Sequence, residues 1–339
     1  MVWRNLWVLV GCCCLAGPIW GDDMRVAEGD AEILPPESRL VELWNEGEFT
    51  EGVAVAADGL VYFSDIAFDA DGLGRILKHD PATGAVTVHC ADSGKSNGLM
   101  FDRKGRLIAC CGANKGRQAI CEITPQGKVR EIATSYHGKR FNSPNDLVVH
   151  PNGSLYFSDP RYVGKEPMLI KHQSVYRIDP DGEVTRVTRD ISKPNGVHLA
   201  PNGRTLYVAE TDNGSTDVTQ DTGTTKKGRM TLNAFPIRDD GTLGAKRVLV
   251  DFGAETGTDG MSVDMQGNLY AAVRHSKEFG IVVYSADGKQ RARIPTPTLP
   301  TNCCFGRGRY ATTLFVTAGG GLYKIRLKIP GYHPATAPQ

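Results

Sequence analysis

The chain contains no Gly-x-Ser-x-Gly motif and no Walker-type phosphate loop, so it encodes neither a serine nucleophile on a strand–helix elbow nor a nucleotide cradle. No Cys-x-x-Cys pair occurs beyond residue 21, which argues against zinc. Charge of one sign is missing too. The 39 Lys and Arg nearly balance 38 Asp and Glu, and a net charge of +1 gives no electrostatic case for a nucleic-acid partner. The one sustained apolar stretch, residues 6–17, is too short to cross a bilayer as a permanent helix. What remains is an ordinary globular composition, 40% hydrophobic and 23% charged. It extends over more residues than a single-core domain usually has, a length that repeat folds reach by adding units.

The chain is organised around the stretch TGTDGMSVDMQGNLYAAV, residues 256–273. It reads as a β-hairpin: apolar residues alternate at Met261, Val263 and Met265, a turn follows at Gln266-Gly267, and a second apolar run begins at Leu269. The acidic lead residue Asp259 stands just ahead. The same unit recurs at Glu51, Asn97, Asn145 and Asn195. In all five copies a turn glycine falls eight residues after the lead: Gly59, Gly105, Gly153, Gly203 and Gly267. A looser sixth copy starts at Asn302 and lacks that glycine. The steps between leads are 46, 48, 50, 64 and 43 residues. A period in the forties, built of short strands with period-two alternation, predicts an all-β, six-bladed β-propeller and disfavours helical repeats.

Rotational repetition places equivalent residues at one height around the axis. The six leads, Glu51, Asn97, Asn145, Asn195, Asp259 and Asn302, are therefore expected to form a ring at the channel mouth. Each offers a side-chain oxygen, a donor type suited to Ca²⁺ or Mg²⁺. The competing reading is that Asn-Gly and Asp-Gly are turn dipeptides. Glu51 is not a turn-forming residue, and the constant offset to the second glycine is a separate anchor.

Residues 1–21 read as an export signal, with Arg4 ahead of the apolar core and Gly21 before Asp22-Asp23 as the cleavage point. The run Leu9-Val10-Gly11-Cys12 also matches a lipoprotein cleavage pattern, so a lipid anchor at Cys12 is the alternative to simple export. Either way the expected destination is periplasmic or extracellular. Residues 22–38 read as a flexible lead-in, 39–329 as the propeller and 330–339 as a loose proline-rich tail. RLVELW at residues 39–44 and GLYKIRLKI at 321–329 are expected to share the last blade and close the ring. The six later cysteines, Cys90, Cys110, Cys111, Cys121, Cys303 and Cys304, are expected to be mostly buried thiols, with Cys111–Cys121 the candidate bridge. The longest step holds a polar insertion at residues 211–230, read either as a cover for the mouth or as an extension of the blade's outer hairpin; residues 159–172 are a smaller candidate wall.

The segments FNSPNDLVVHPNGSLYFSDP, PNGVHLAPNGRTLYVAET and TDGMSVDMQGNLYAAV resemble the gluconolactonase / SMP-30 (regucalcin) family, nearest its bacterial gluconolactonase-like branch. The resemblance covers residues 40–329. It implies a six-bladed propeller and a divalent-metal lactonase acting on a small-molecule lactone. It implies metal ligands at Glu51, Asn145, Asn195 and Asp259, with Asp259 also the general base. Ca²⁺ is the expected ion; Mg²⁺, Mn²⁺ and Zn²⁺ are the alternatives. Animal sugar-lactonases carry Arg two residues before the third-repeat Asn, where this chain has Ser143, so their sugar specificity does not carry over.

The expected chemistry is polarisation of the lactone carbonyl by the ion and activation of water by Asp259. Asn97 and Asn302 are candidates for substrate contact. His198, within the fourth unit, and His137, on a loop before the third, are further substrate candidates. Three other readings stand beside this one: an organophosphate or aryl-ester hydrolase of the paraoxonase kind, a non-catalytic binding propeller, and a metal-free condensing enzyme of the strictosidine-synthase kind. The pair Glu51 and Asp259 discriminates against the last two, since neither needs two carboxylates facing one channel.

Overall fold

The turn glycines end the first strand of each repeat: Gly59 (φ 91°) and Gly153 (φ 94°) adopt a left-handed backbone that other residues resist. In the computed structural model, which describes residues 24–68, 71–219, 225–275 and 277–336, each repeat opens an antiparallel sheet. The expected export signal, its expected cleavage point and Cys12 lie outside the described residues. Six sheets form six blades, as the spacing predicts. Their innermost strands are Thr50–Val55, Ser96–Phe101, Leu147–Val149, Pro194–Leu199, Thr258–Val263 and Pro300–Phe305. The core lies between neighbouring blades. Val148, Tyr156 and Val175 of the third, for example, pack against Val197, Leu206, Val208 and Phe235 of the fourth.

The last blade closes the ring with both chain ends. Val41–Trp44 is its outermost strand and pairs antiparallel with Gly321–Arg326, Val41 opposite Lys324. The lead-in and the tail differ from expectation. Met24, Ala27, Ile33, Leu34 and Leu40 are buried in the core of the fifth and sixth blades, and Glu28–Gly29 adds a fifth strand to the fifth blade. Irregularly spaced apolar side chains, invisible to a periodicity search, hold this arm down. The segment after Pro330 is likewise packed through Ala335. Tyr332 N donates to Val263 O and Gly331 N to Ala311 O, and Tyr332 and Ala335 are buried. This segment crosses the end of the channel opposite the lead residues, since it meets the far ends of the inner strands.

All six described cysteines are free thiols, five of them buried. Cys111 and Cys121 are in hydrogen-bonding contact without a bridge. Among the described residues, no helix is long and apolar enough to cross a membrane.

Candidate active site at the channel mouth

Three of the lead residues, Asn97, Asn195 and Asp259, sit in β-bulges. Ladder pairing skips from Ser96 to Leu99, from Pro194 to Val197 and from Thr258 to Met261. Each skip leaves a lead residue and its following glycine outside the ladder, which frees the side chain to be re-aimed. The glycine is needed for close approach between blades. A Cβ on Gly52 would lie 1.9 Å from Asn97 O, and one on Gly196 2.3 Å from Asp259 O. Gly98 N donates to Asn145 O, Val197 N to Asp146 Oδ2, and Thr301 Oγ1 to Thr50 O. These contacts run from blade to blade and bring the leads together at one mouth. The turn-dipeptide reading fails here: of the glycines that follow a lead, Gly52 has positive φ (43°), whereas Gly98, Gly196 and Gly260 do not.

Acids at the ends of second strands hold the entry to these bulges. Asp65 Oδ1 accepts from Glu48 N and Phe49 N, Asp159 accepts from Asn142 N and Ser143 N, and Glu210 accepts from Ser192 N. The repeated YFSD and YVAE endings carry this signal in the sequence. Ser143 also accepts from Ala113 N through Oγ, which ties the second blade's loop to the third blade.

Electrostatically, the mouth is a nest of buried carboxylates. Glu51 and Asp259 are each 3% exposed. Burial, and then the charge of Asp259, push the Glu51 carboxyl well above its ordinary range. Burial also raises Asp259, against the opposing pull of Arg274, whose Nη1 lies 3.1 Å from Asp259 Oδ2, and of a hydrogen bond from Asn195. Asp146 was missed as a site residue. It stands where four other units carry glycine, and burial pushes it up to about 7 although Val197 N and the Asn302 amide donate to it. Arg274 was missed as well; it follows the second strand of the fifth blade directly.

The structure distributes the predicted candidates unequally. Glu51, Asn195, Asp259 and Asn302 have buried side chains at the mouth, while Asn97 and Asn145 are half-buried there. His198 faces the channel below them, on a cavity of about 30 Å³ shared with Asp146, Asn302, Arg307 and His333. Its Nδ1 meets Leu199 O, and burial lowers it to about 4, which keeps it neutral. His137 lies elsewhere: it is exposed at the tip of a short hairpin, its ring 4.1 Å from that of Tyr136.

The insertion after the fourth blade's second strand lies at the mouth end, as does the wall segment. Val218 N donates to Tyr162 O, and Tyr162 OH donates to Thr211 O. Lys193 Nζ sits 4.1 Å over the Tyr162 ring and also meets Asn213 Oδ1 and Ser215 O.

Among the described residues, no three His, Cys, Asp or Glu side chains gather as a metal site. The donors here are of mixed type, two carboxylates with amide oxygens. One observation fits a cation among them: Asn195 Oδ1 is buried without a hydrogen-bond partner, beside carboxylates whose charge is disfavoured by burial.

The raised Asp146 carboxyl has a signed consequence. Between its ordinary value of 3.8 and about 7, the folded state holds a proton that the unfolded state releases, so Asp146 withdraws stability as pH rises through that window. Asp146→Asn is expected to gain roughly 1–3 kcal/mol relative to the parent between pH 4 and pH 8. Thermal melts in chelator across that range check this, and a constant difference would contradict it.

A family model described as SMP-30/Gluconolactonase/LRE-like region matches residues 49–320. A gluconolactonase of Zymomonas mobilis is 32% identical over 247 residues, covering 70% of this chain and 64% of that protein. A lactonohydrolase of Aspergillus oryzae is 26% identical over 278 residues, covering 75% and 62%. The chain thus spans less than two thirds of the length of these two curated relatives. A solved gluconolactonase structure from Xanthomonas campestris superposes with a TM-score of 0.76 at 29% identity, covering 92% of this chain and 98% of that one.

Proposed function

The chain belongs to the SMP-30/gluconolactonase/LRE-like family, and from that premise we propose that it is a divalent-cation-dependent lactonase that opens a sugar lactone. The reading rests on one observation above all: Glu51 and Asp259 are buried at the mouth, and the charge of Asp259 raises Glu51. A scaffold has no use for that pair, which counts against a binding propeller. The lactonase names of the relatives supply the reaction class.

In this proposal Glu51, Asn145, Asn195 and Asp259 hold the ion. Their hard oxygen donors favour Ca²⁺, with Mg²⁺, Mn²⁺ and Zn²⁺ as competitors. The bound ion supplies a Lewis-acid charge to polarise an ester carbonyl. Asp259 takes the proton of the attacking water. Burial raises its basicity, and Arg274 engages Oδ2. Asn97 and Asn302 are placed to orient sugar hydroxyls, and His198 to contact substrate from below. His137, exposed on its hairpin, keeps a place in the proposal only as a contact at the outer edge. Export belongs to the proposal on the strength of residues 1–21 alone.

The test is proton release from glucono-δ-lactone, other sugar lactones and an aryl ester by chelator-treated protein, with and without Ca²⁺, Mg²⁺, Mn²⁺ or Zn²⁺. Turnover of a sugar lactone that returns with a cation is the expected result. Folded protein that binds no cation and opens no lactone would overturn the proposal. Preference for the aryl ester would move the assignment to the paraoxonase kind.

A further inference from the structure

The Asn195 amide has two ends that differ chemically, and its neighbours determine which end faces where. The Tyr162 hydroxyl carries a single proton, and that proton goes to the Thr211 carbonyl at 2.9 Å. Its oxygen can then only accept, and it does so from Asn195. The Asp259 carboxylate, ionised, also only accepts, and it too is hydrogen-bonded by Asn195. Both neighbours require Nδ2, so Oδ1 is turned away from both. That oxygen is the buried atom left without a partner.

We propose that Tyr162 is a positioning residue that locks the Asn195 amide with Oδ1 presented to the cation at the channel mouth. This rests on the cation site of the lactonase reading. It also gives the insertion a role. Lys193 over the Tyr162 ring, with Asn213 and Ser215 on its ammonium and Val218 N on Tyr162 O, fixes the tyrosine against residues 211–218. The insertion buttresses Tyr162, and Tyr162 sets the amide. Without the hydroxyl, the amide loses one of the two acceptors that hold its Nδ2 end, and a flipped amide would point two N–H donors at the cation. Partners that orient a ligand in this way are typically worth about 10- to 100-fold in metal affinity.

The experiment is calorimetric titration of chelator-treated protein with Ca²⁺ alone, for the parent, Tyr162→Phe, Asn195→Asp and the double variant. Tyr162→Phe keeps the ring under Lys193 and removes only the hydroxyl. It is expected to weaken Ca²⁺ by about tenfold or more. In Asn195→Asp both terminal atoms are oxygens, so orientation no longer matters, and adding Tyr162→Phe is expected to change affinity by less than about threefold. A melting curve of each variant establishes that it is folded. Equal losses in both backgrounds would mean that the tyrosine does not act through the amide, and would overturn the inference. So would a Tyr162→Phe affinity equal to the parent's. A folded parent that binds no Ca²⁺ would overturn the cation site itself and this inference with it.

Discussion

Asp259→Asn is expected to lower kcat on a sugar lactone by at least about 10³-fold at saturating Ca²⁺, within the range that a lost general base commands. The substitution is nearly isosteric, and the side chain lies in a bulge whose backbone contacts do not depend on its charge: Gly196 packs against Asp259 O, not against the carboxylate. The loss is therefore expected in turnover, with folding intact. An amide cannot take the proton of water, and it also gives up the ion pair with Arg274. Stopped-flow proton release across a Ca²⁺ series separates the two consequences. Weakened cation binding moves the Ca²⁺ midpoint, whereas loss of the base lowers the plateau. A plateau within threefold of the parent would take Asp259 out of the base role.

Glu51→Gln should separate affinity from stability. Glu51 is a buried carboxylate raised by burial and by the Asp259 charge, with Gly52 N donating to Oε2 at 3.2 Å. Its folded value lies above its unfolded one, so in chelator its contribution to stability falls as pH rises through the folded value. A glutamine cannot ionise, and the cation-free variant is expected to be more stable than the parent at pH 8 by about 1–2 kcal/mol, a rise of a few degrees in melting temperature. Ca²⁺ affinity should move the other way, falling by at least about 100-fold, since one of two carboxylates is gone. A proton on the raised Glu51 carboxyl competes with the ion, so the parent's affinity should climb with pH, and the variant should lose much of that slope. Paired melting and titration series at pH 6, 7 and 8 read all three effects. A variant that is less stable in chelator and unchanged in affinity would show that Glu51 is a structural acid.

The propeller was legible because its signals repeat. A turn glycine eight residues after each lead states five hairpins in register, and the strands at residues 41–44 and 321–326 complete the last blade as their positions suggested. The ring of leads was legible for the same reason, since rotation makes equivalent residues neighbours. What escaped the sequence breaks the repeat. Asp146 replaces a glycine in one unit only, Arg274 follows a strand whose counterparts end in Asp65, Asp159 and Glu210, and Tyr162 lies in a loop with no register at all. Their side chains meet at the mouth because the third blade brings Asp146 and Tyr162 there and the fifth brings Arg274, and spacing within one repeat cannot express that. The N-terminal arm was missed for a related reason: Met24, Ala27, Ile33 and Leu34 follow no period, yet a groove between two blades accepts them.

The pairing of Val41–Trp44 with Gly321–Arg326 also sets a clock on biogenesis. The first of these strands leaves the ribosome long before its partner exists. At about 5–20 residues per second, the wait is roughly 15 to 55 seconds. Until Pro300–Phe305 is made, near the end of that interval, the sixth sheet has no member but its outermost strand, and the first blade lacks the neighbour that will cover Val53, Val55 and Phe63. Closure is therefore a late event made by distant segments, a topology that folds slowly. The nascent chain stays an open arc with two uncovered flanks until its last forty or so residues arrive. Any chaperone or membrane pore that handles it before then would meet a thread of partly formed blades, and loss of the final strand alone would leave all six without a closed ring.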